Sequence, residues 1–92
     1  MLTATQKALG IRYATEEENA IYDKVETAYD RLTEAEGDAL FDLLCEEEEL
    51  FRNKIKSKML KAMIRSMGLT VKEVCTWYYM EWVRRSNDRL IL

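Results

Sequence analysis

Histidine is absent from the 92 residues of the chain. Histidine is the side chain most often used as a general base, as a metal ligand and as the partner of a nucleophilic serine or cysteine. Its absence argues against most hydrolase chemistry and most zinc chemistry. No other acid/base constellation stands out, so we expect a protein that is not an enzyme and that binds no cofactor or metal.

Glycine and cysteine are both scarce. The three glycines stand apart from one another, so the sequence contains neither a GxxxxGK[ST] nor a GxGxxG phosphate-binding loop. The two cysteines, Cys45 and Cys75, form no CxxC pair, which excludes a zinc ring or a thioredoxin-type redox pair within one chain. We expect both cysteines to be buried free thiols.

Long hydrophobic runs are also missing. No apolar stretch approaches the roughly 20 residues that a bilayer-spanning helix needs. The segment from Met1 to Tyr13 lacks the charged, apolar and small-residue order of a signal peptide. We therefore expect a cytoplasmic protein without membrane contact. At about 100–200 residues per domain, the length predicts a single helical domain over residues 1–92.

The residues that are present favour helix. Proline is absent, and good helix formers such as Ala, Leu, Glu and Lys are abundant. The capping-box pattern, in which a Ser or Thr opens a helix and a Glu three residues later reaches back to it, occurs three times. The pairs are Thr15 with Glu18, Thr33 with Glu36, and Thr70 with Glu73. The sequence thus predicts an all-α fold, a small bundle of about four helices.

Apolar spacing and these caps give approximate bounds for the helices. After an N-terminal segment over residues 1–14, the predicted ranges are about 16–31, 34–52, 57–67 and about 70–87. The second and third ranges could form one continuous rod, but we favour a break between Arg52 and Ser57. Gly68 is suited to the left-handed conformation that closes the third helix.

Two groups of side chains are assigned by their place on these helices. The acidic run from Glu46 to Glu49 falls inside the predicted second helix and is expected to form a solvated face. Glu47 falls between Leu43, Leu44 and Phe51 on the apolar stripe of that helix, so it should pair with a Lys or Arg of the basic half or mark the edge of the stripe. The methionines at positions 59, 63 and 67 are expected to fill the core.

Charge is divided unevenly along the chain. Residues 1–50 hold four basic and fourteen acidic side chains, a net charge of −10, whereas residues 51–92 hold ten basic and three acidic ones, a net charge of +7. Such asymmetry is typical of a protein with a surface that faces nucleic acid or a charged partner. The alternative is that the two halves attract each other across the bundle.

One segment carries a motif, the run SKMLKAMIRSMGLTVKEVCTWY that begins at Ser57. Over about residues 57–85 the chain resembles a helix-turn-helix of the homeodomain or phage-repressor kind, with Gly68 and Leu69 in the turn. Val74 and Trp77 occupy the core-facing positions of the helix that follows. Leu69 and Val74 are also spaced as a hydrophobic staple.

The resemblance implies that the helix after the turn enters the major groove of DNA. On that helix Lys72, Thr76 and Tyr79 share one side and would contact base edges. Phosphate contacts would come from the basic side chains around them, Lys54, Lys56, Lys58, Lys61, Arg65, Arg84 and Arg85. The sequence therefore predicts a small regulatory DNA-binding protein, a possible homodimer, whose acidic half dimerises or contacts another protein.

The second hypothesis is a helical protein-interaction module, such as a phage- or plasmid-borne inhibitor or an adaptor, that binds a host or regulatory protein and no nucleic acid. It would act through its acidic helices or through an exposed apolar patch on the last helix. The candidate residues are Asp38, Asp42, Glu46, Glu49, Tyr79, Met80 and Val83. The first hypothesis requires Lys72, Thr76 and Tyr79 to face solvent among basic residues, and it fails if that face is buried.

Overall fold

The structure, a computed structural model, describes residues 3–8, 10, 12–84 and 90–91, without the side chains of residues 6, 82–84 and 90–91. Its elements are α1 (Ala4–Ala8), β1 (Arg12–Tyr13), α2 (Glu16–Asp30), α3 (Glu34–Cys45), a 3₁₀ helix η1 (Leu50–Arg52), α4 (Lys58–Ser66), α5 (Val71–Arg84) and β2 (Leu90–Ile91). Helices α2 to α5 account for most of these residues. The predicted all-α fold with about four helices is confirmed.

The three predicted capping boxes all form. In the first, the Thr15 hydroxyl accepts the N–H of Glu18, and the Glu18 carboxylate accepts the N–H of Thr15. The same reciprocal pairs join Thr33 with Glu36 and Thr70 with Glu73. Each box satisfies two N–H groups that a helix start leaves without a partner. Helices α2, α3 and α5 therefore begin where the spacing predicts.

A glycine turn joins α4 to α5. Gly68 has a φ of +74°, the left-handed conformation that was predicted for it. Its N–H donates to the Arg65 carbonyl, and the N–H of Leu69 donates to the Ile64 carbonyl. These two bonds define a Schellman motif, and Ile64 and Leu69 are both buried, as the motif favours. The turn therefore closes α4 and leads directly into the cap of α5.

Helix α3 ends earlier than predicted. It stops at Cys45, so the prediction that Glu46 to Glu49 lie inside a helix is wrong. Four consecutive carboxylates would repel one another at the negative end of the helix dipole, which disfavours a longer helix. The chain instead passes through η1 and Asn53, which has a φ of +59°, before α4 begins. The predicted break between Arg52 and Ser57 is present, but it is the second half of a longer interruption.

The N-terminal segment over residues 1–14 contains two elements that no sequence pattern predicted. They are α1 and β1, and β1 pairs antiparallel with β2 so that Arg12 lies opposite Ile91. Two-residue strands are too short to show the alternating pattern that identifies a strand. At the other end of the chain, α5 is described as far as Arg84, and the predicted last turn, up to residue 87, lies outside the described residues.

Buried side chains of α2, α3, η1, α4 and α5 meet in one cluster, with α5 at its centre. Helix α5 contributes Val74, Cys75, Trp77 and Met80, and it packs against α2, α4, η1 and β2. Helix α4 contributes Leu60 and Ile64. The central position of α5 limits which of its side chains can reach a ligand.

Three side chains that were expected in the core lie elsewhere. Met59 and Phe51 are each 67% exposed, and Cys45 is exposed, although Met63 and Met67 pack against the core as expected. Cys75 is a buried free thiol, as predicted, and burial is the main cause that raises its pKa to about 11. A thiol with that pKa is almost entirely protonated at neutral pH and is a poor nucleophile.

Candidate functional site

Polar contacts fasten α5 to α2 along their length. The indole N–H of Trp77 donates to the Glu26 carboxylate at 3.1 Å, and the Tyr22 hydroxyl donates to Glu81. Lys24 pairs with Glu73 at 2.7 Å near the start of α5. Burial and the carboxylates of Glu81 and Glu26 raise the pKa of Tyr22, so this hydroxyl stays a donor at neutral pH. Helix α5 is therefore held inside the molecule by both apolar and polar contacts.

The three side chains that were predicted to read base edges line a concave surface. Lys72 is exposed, whereas Thr76 and Tyr79 are half-buried, and burial raises the pKa of Tyr79. All three line a hollow of about 390 Å³ whose other wall includes Leu50 and Phe51 of η1. A recognition helix has to protrude to enter a major groove. The structure brings these residues together beside η1, with Lys72 exposed and Thr76 and Tyr79 half-buried, and their role as a reading surface stays a prediction.

The predicted apolar patch on α5 is also corrected. Met80 is only 1% exposed because it packs in the core, so it contributes nothing to a surface. Of the remaining patch residues, Tyr79 is half-buried, and the side chain of Val83 lies outside the description. The same is true of the Arg84 side chain, and Arg85 lies outside the described residues altogether.

The other predicted phosphate contacts lie close together in the chain, on α4 and in the segment before it. Lys54 and Lys56 are exposed and flank the buried Ile55 in the irregular segment between η1 and α4. The remaining three are spaced three and four residues apart on α4, so they share a helix face, and all are exposed. We call the five side chains the α4 basic face: Lys54, Lys56, Lys58, Lys61 and Arg65.

No carboxylate forms an ion pair with a side chain of this face among the residues that the structure describes. The ion pairs found there are Arg12 with Glu18 and Lys24 with Glu73, and neither includes a residue of the α4 basic face. Ion pairs between the acidic first half and these five cations are one way in which the two halves could attract each other. No such pair is found within the described ranges. The cations remain available to an anionic ligand.

Glu47 fixes the backbone beneath the α4 basic face. Its two carboxylate oxygens accept the N–H groups of Lys56, at 3.1 Å, and Ser57, at 2.9 Å. The Ser57 hydroxyl in turn accepts the N–H of Leu60 and caps α4. Glu47 thus contacts the basic half of the chain, but it accepts backbone N–H groups there, so the predicted pair with a cationic side chain is not found among the described residues.

The predicted acidic contacts lie mainly on α3 and just beyond it. Asp38, Asp42 and Glu46 are spaced four residues apart and are all exposed, so they form a stripe on one side of α3. Glu49 lies in the interruption after α3 and is half-buried. The first three residues are therefore brought together, and Glu49 is placed apart from them.

Sequence reasoning missed Phe51 as a surface residue. It was assigned to the apolar stripe of a helix that would have continued through it, and the early end of α3 places it on η1 instead. Phe51, Leu50 and Tyr79 line both the hollow described above and a second one of about 350 Å³ beside Glu47 and Glu48. The acidic run before Phe51 was the sequence signal that could have indicated the break.

Neither a metal centre nor a membrane span is found in the described part of the chain. No group of three Cys, Asp or Glu side chains there could hold a metal ion. None of the helices, as far as they are described, has the length and apolar character needed to cross a bilayer. Comparisons with family models, curated proteins and solved structures find no match to this chain.

Proposed function

We propose that the protein is a small non-enzymatic, cytoplasmic regulator that binds nucleic acid through the α4 basic face. The observation that carries this proposal is the grouping of five exposed cations that have no carboxylate partner among the described residues. Lysine and arginine side chains in this arrangement release counterions from a phosphate backbone when they bind it, which supplies most of the affinity of sequence-independent binding.

The proposal departs from the helix-turn-helix resemblance in the helix that it uses. The resemblance predicts that α5 contacts the DNA. However, α5 is the central helix of the bundle, and α4 is the helix with an exposed basic face. Helix α4 would therefore lie along the phosphate backbone, and the segment before it would add two further contacts through Lys54 and Lys56. This mode of binding positions the protein on a duplex and reads little sequence.

The direct test is fluorescence anisotropy with a labelled random-sequence duplex DNA at about 50 and 200 mM salt. We expect dissociation constants in the micromolar range at the lower salt. With about five phosphate contacts, the logarithm of the binding constant should fall against that of the salt concentration with a slope near −4.5. The double variant Lys61→Glu with Arg65→Glu should lower the magnitude of that slope by about 2 and weaken binding at least tenfold.

The matched control reverses two exposed cations outside the α4 basic face, Lys7→Glu with Arg31→Glu. It changes the net charge by the same amount, so it separates a local contact from a general effect of charge. Equal weakening by both double variants, or no binding by the wild type at low salt, would contradict the proposal.

A second candidate function is supported by the acidic stripe on α3. Asp38, Asp42 and Glu46 could contact a basic surface on a host or regulatory protein, and in that case the α4 basic face would not be needed. Charge reversal at Asp42 and Glu46 would then abolish binding to that protein, while Lys61→Glu with Arg65→Glu would leave this binding intact. Loss of this binding only in the α4 variants would exclude the candidate.

A further inference from the structure

The surface around Phe51 has a shape and charge that the proposed nucleic-acid contact does not use. Phe51 is 67% exposed and lies between two hollows, each of which is also lined by Leu50 and Tyr79. We call the hollow that contains Lys72 the Lys72 hollow and the one that contains Glu48 the Glu48 hollow. An exposed aromatic side chain between two concave surfaces is a feature typical of a contact surface.

The two hollows carry opposite charge. In the Lys72 hollow, Glu18 is already paired with Arg12, and Lys72 makes no ion pair with any described residue. In the Glu48 hollow, Glu47 is occupied by backbone N–H groups, and Glu48 is exposed with no hydrogen bond or ion pair among the described residues. The surface therefore has a free cation at one end and a free carboxylate at the other, with Phe51 between them.

We infer that this surface binds a second copy of the same chain, related to the first by a two-fold axis. A two-fold interface uses the same patch on both copies, so the patch has to be complementary to itself after a rotation of 180°. This rotation places Lys72 of each copy against Glu48 of the other. It also brings the two Phe51 side chains together at the axis, so the apolar centre of the patch is buried on both copies.

The charge pattern is what favours a second copy over an unrelated partner. A surface with charge of one sign fits many partners. A surface with one cation and one carboxylate on opposite sides of an apolar centre is complementary to a second copy of itself rotated by 180°, because each cation then meets a carboxylate. The α4 basic face takes no part in the contact, so it stays open in the dimer.

The first experiment is sedimentation velocity of the purified full chain over a range of concentrations, without nucleic acid. We expect a monomer and dimer in equilibrium, with a single closed dimer and no larger species. Phe51→Ala should weaken the dimer at least tenfold. Met59→Ala is the matched control, because Met59 is equally exposed, at 67%, but lies on α4 outside the patch. It should leave the dimer unchanged.

The second experiment tests the pairing itself by charge reversal. Lys72→Glu and Glu48→Lys should each weaken the dimer about tenfold, and the double variant should restore it to within about threefold of the wild type, because it recreates both pairs with their signs exchanged. Both positions are exposed, and circular dichroism checks that each variant is folded.

Three results would overturn the inference. They are a wild type that stays monomeric up to millimolar concentration, equal effects of Phe51→Ala and Met59→Ala, and a double charge reversal that is no better than the single ones. A wild type that stays monomeric would indicate that the patch binds a different protein. None of these outcomes depends on whether the α4 basic face binds nucleic acid.

Discussion

Single glutamates hold the backbone at the main boundaries between elements. Glu18, Glu36 and Glu73 each return to the cap residue three positions earlier, and Glu47 holds two N–H groups of the segment before α4. The first three could be predicted because a capping box is a local pattern with fixed spacing. The bonds of Glu47 could not, because its partners lie nine and ten residues away and no local spacing identifies them.

Removal of the Glu47 carboxylate should destabilise the protein. In Glu47→Ala the N–H groups of Lys56 and Ser57 lose a charged acceptor, and we expect the free energy of unfolding to fall by about 2 kcal/mol. Urea denaturation followed by circular dichroism measures the change. Glu46→Ala is the control, since the Glu46 side chain is exposed and has no hydrogen bond among the described residues, and its effect should stay within about 0.5 kcal/mol. Similar losses in both variants would contradict this role for Glu47.

Stability in acid should depend on Glu18. Hydrogen bonds from the Arg12 guanidinium are the main cause that lowers the pKa of Glu18 to about 2, from an ordinary value of 4.5, and those from Thr15 add to the effect. A carboxyl with a lowered pKa stabilises the fold fully above its unfolded value, and this stabilisation is lost as the pH falls toward its folded value. The free energy of unfolding should therefore decline between pH 4.5 and about 2.

The variant Glu18→Gln isolates this contribution. It cannot lose a charge as the pH falls, so its unfolding free energy should decline less steeply than that of the wild type over the same range. Some decline should remain, because hydrogen bonds with Lys24 and Thr70 also lower the pKa of Glu73. Glu17→Gln, at an exposed neighbour without a described hydrogen bond, should follow the wild-type curve. Parallel curves for Glu18→Gln and the wild type would rule out this origin.

At the scale of elements, the chain from α4 to α5 follows its sequence closely. The N-cap at Ser57, the left-handed Gly68 and the capping box at Thr70 are local signals, and both ends of α4 and the start of α5 fall within a residue of their predicted places. The end of α3 differs because competition between helix propensity and repulsion within the acidic run decides it, and Glu47 gains distant bonds when the helix stops. Local patterns indicate where a helix can begin more reliably than where tertiary contacts end it.

The turn between α4 and α5 gives a prediction at this scale. Gly68→Ala forces a side chain into the left-handed conformation, and we expect a loss of about 1 kcal/mol in the free energy of unfolding. A steric clash is not the cause, because no atom lies within 4 Å of the added Cβ position. Gly68→Asn should cost less, since asparagine tolerates this conformation better. Thermal unfolding of the two variants checks the order, and an equal or larger loss for asparagine would show that backbone conformation does not set the cost.

At the scale of the whole molecule, the sequence predicts the helices but not which of them lies at the centre of the bundle. The pattern over residues 57–85 predicted two helices and a turn correctly, but the same pattern does not determine which helix ends at the centre of the bundle. That depends on Trp77 and Met80 packing inward and on the bonds from α2 to Glu73 and Glu81. The basic residues of α4 remain exposed because the opposite side of that helix, with Leu60, Met63 and Ile64, packs on the core.

The charge of the two halves is likewise visible in the sequence, but its arrangement is not. The sequence shows which half is basic, whereas the structure leaves five of those cations exposed on α4 and in the segment before it, and it pairs Lys24 of the acidic half with Glu73 of the basic half. The minority charge of each half is thus used in the fold. The α4 basic face is what remains for a ligand.

The measurement that tests the central claim most directly is an NMR titration of the labelled protein with a short duplex DNA, read as amide chemical-shift changes along the chain. A contact through the α4 basic face should give the largest changes between Lys54 and Arg65, and the changes should disappear as salt is added. Changes centred on Lys72, Thr76 and Tyr79 would instead make α5 the binding helix, and an unchanged spectrum would show that the protein does not bind nucleic acid.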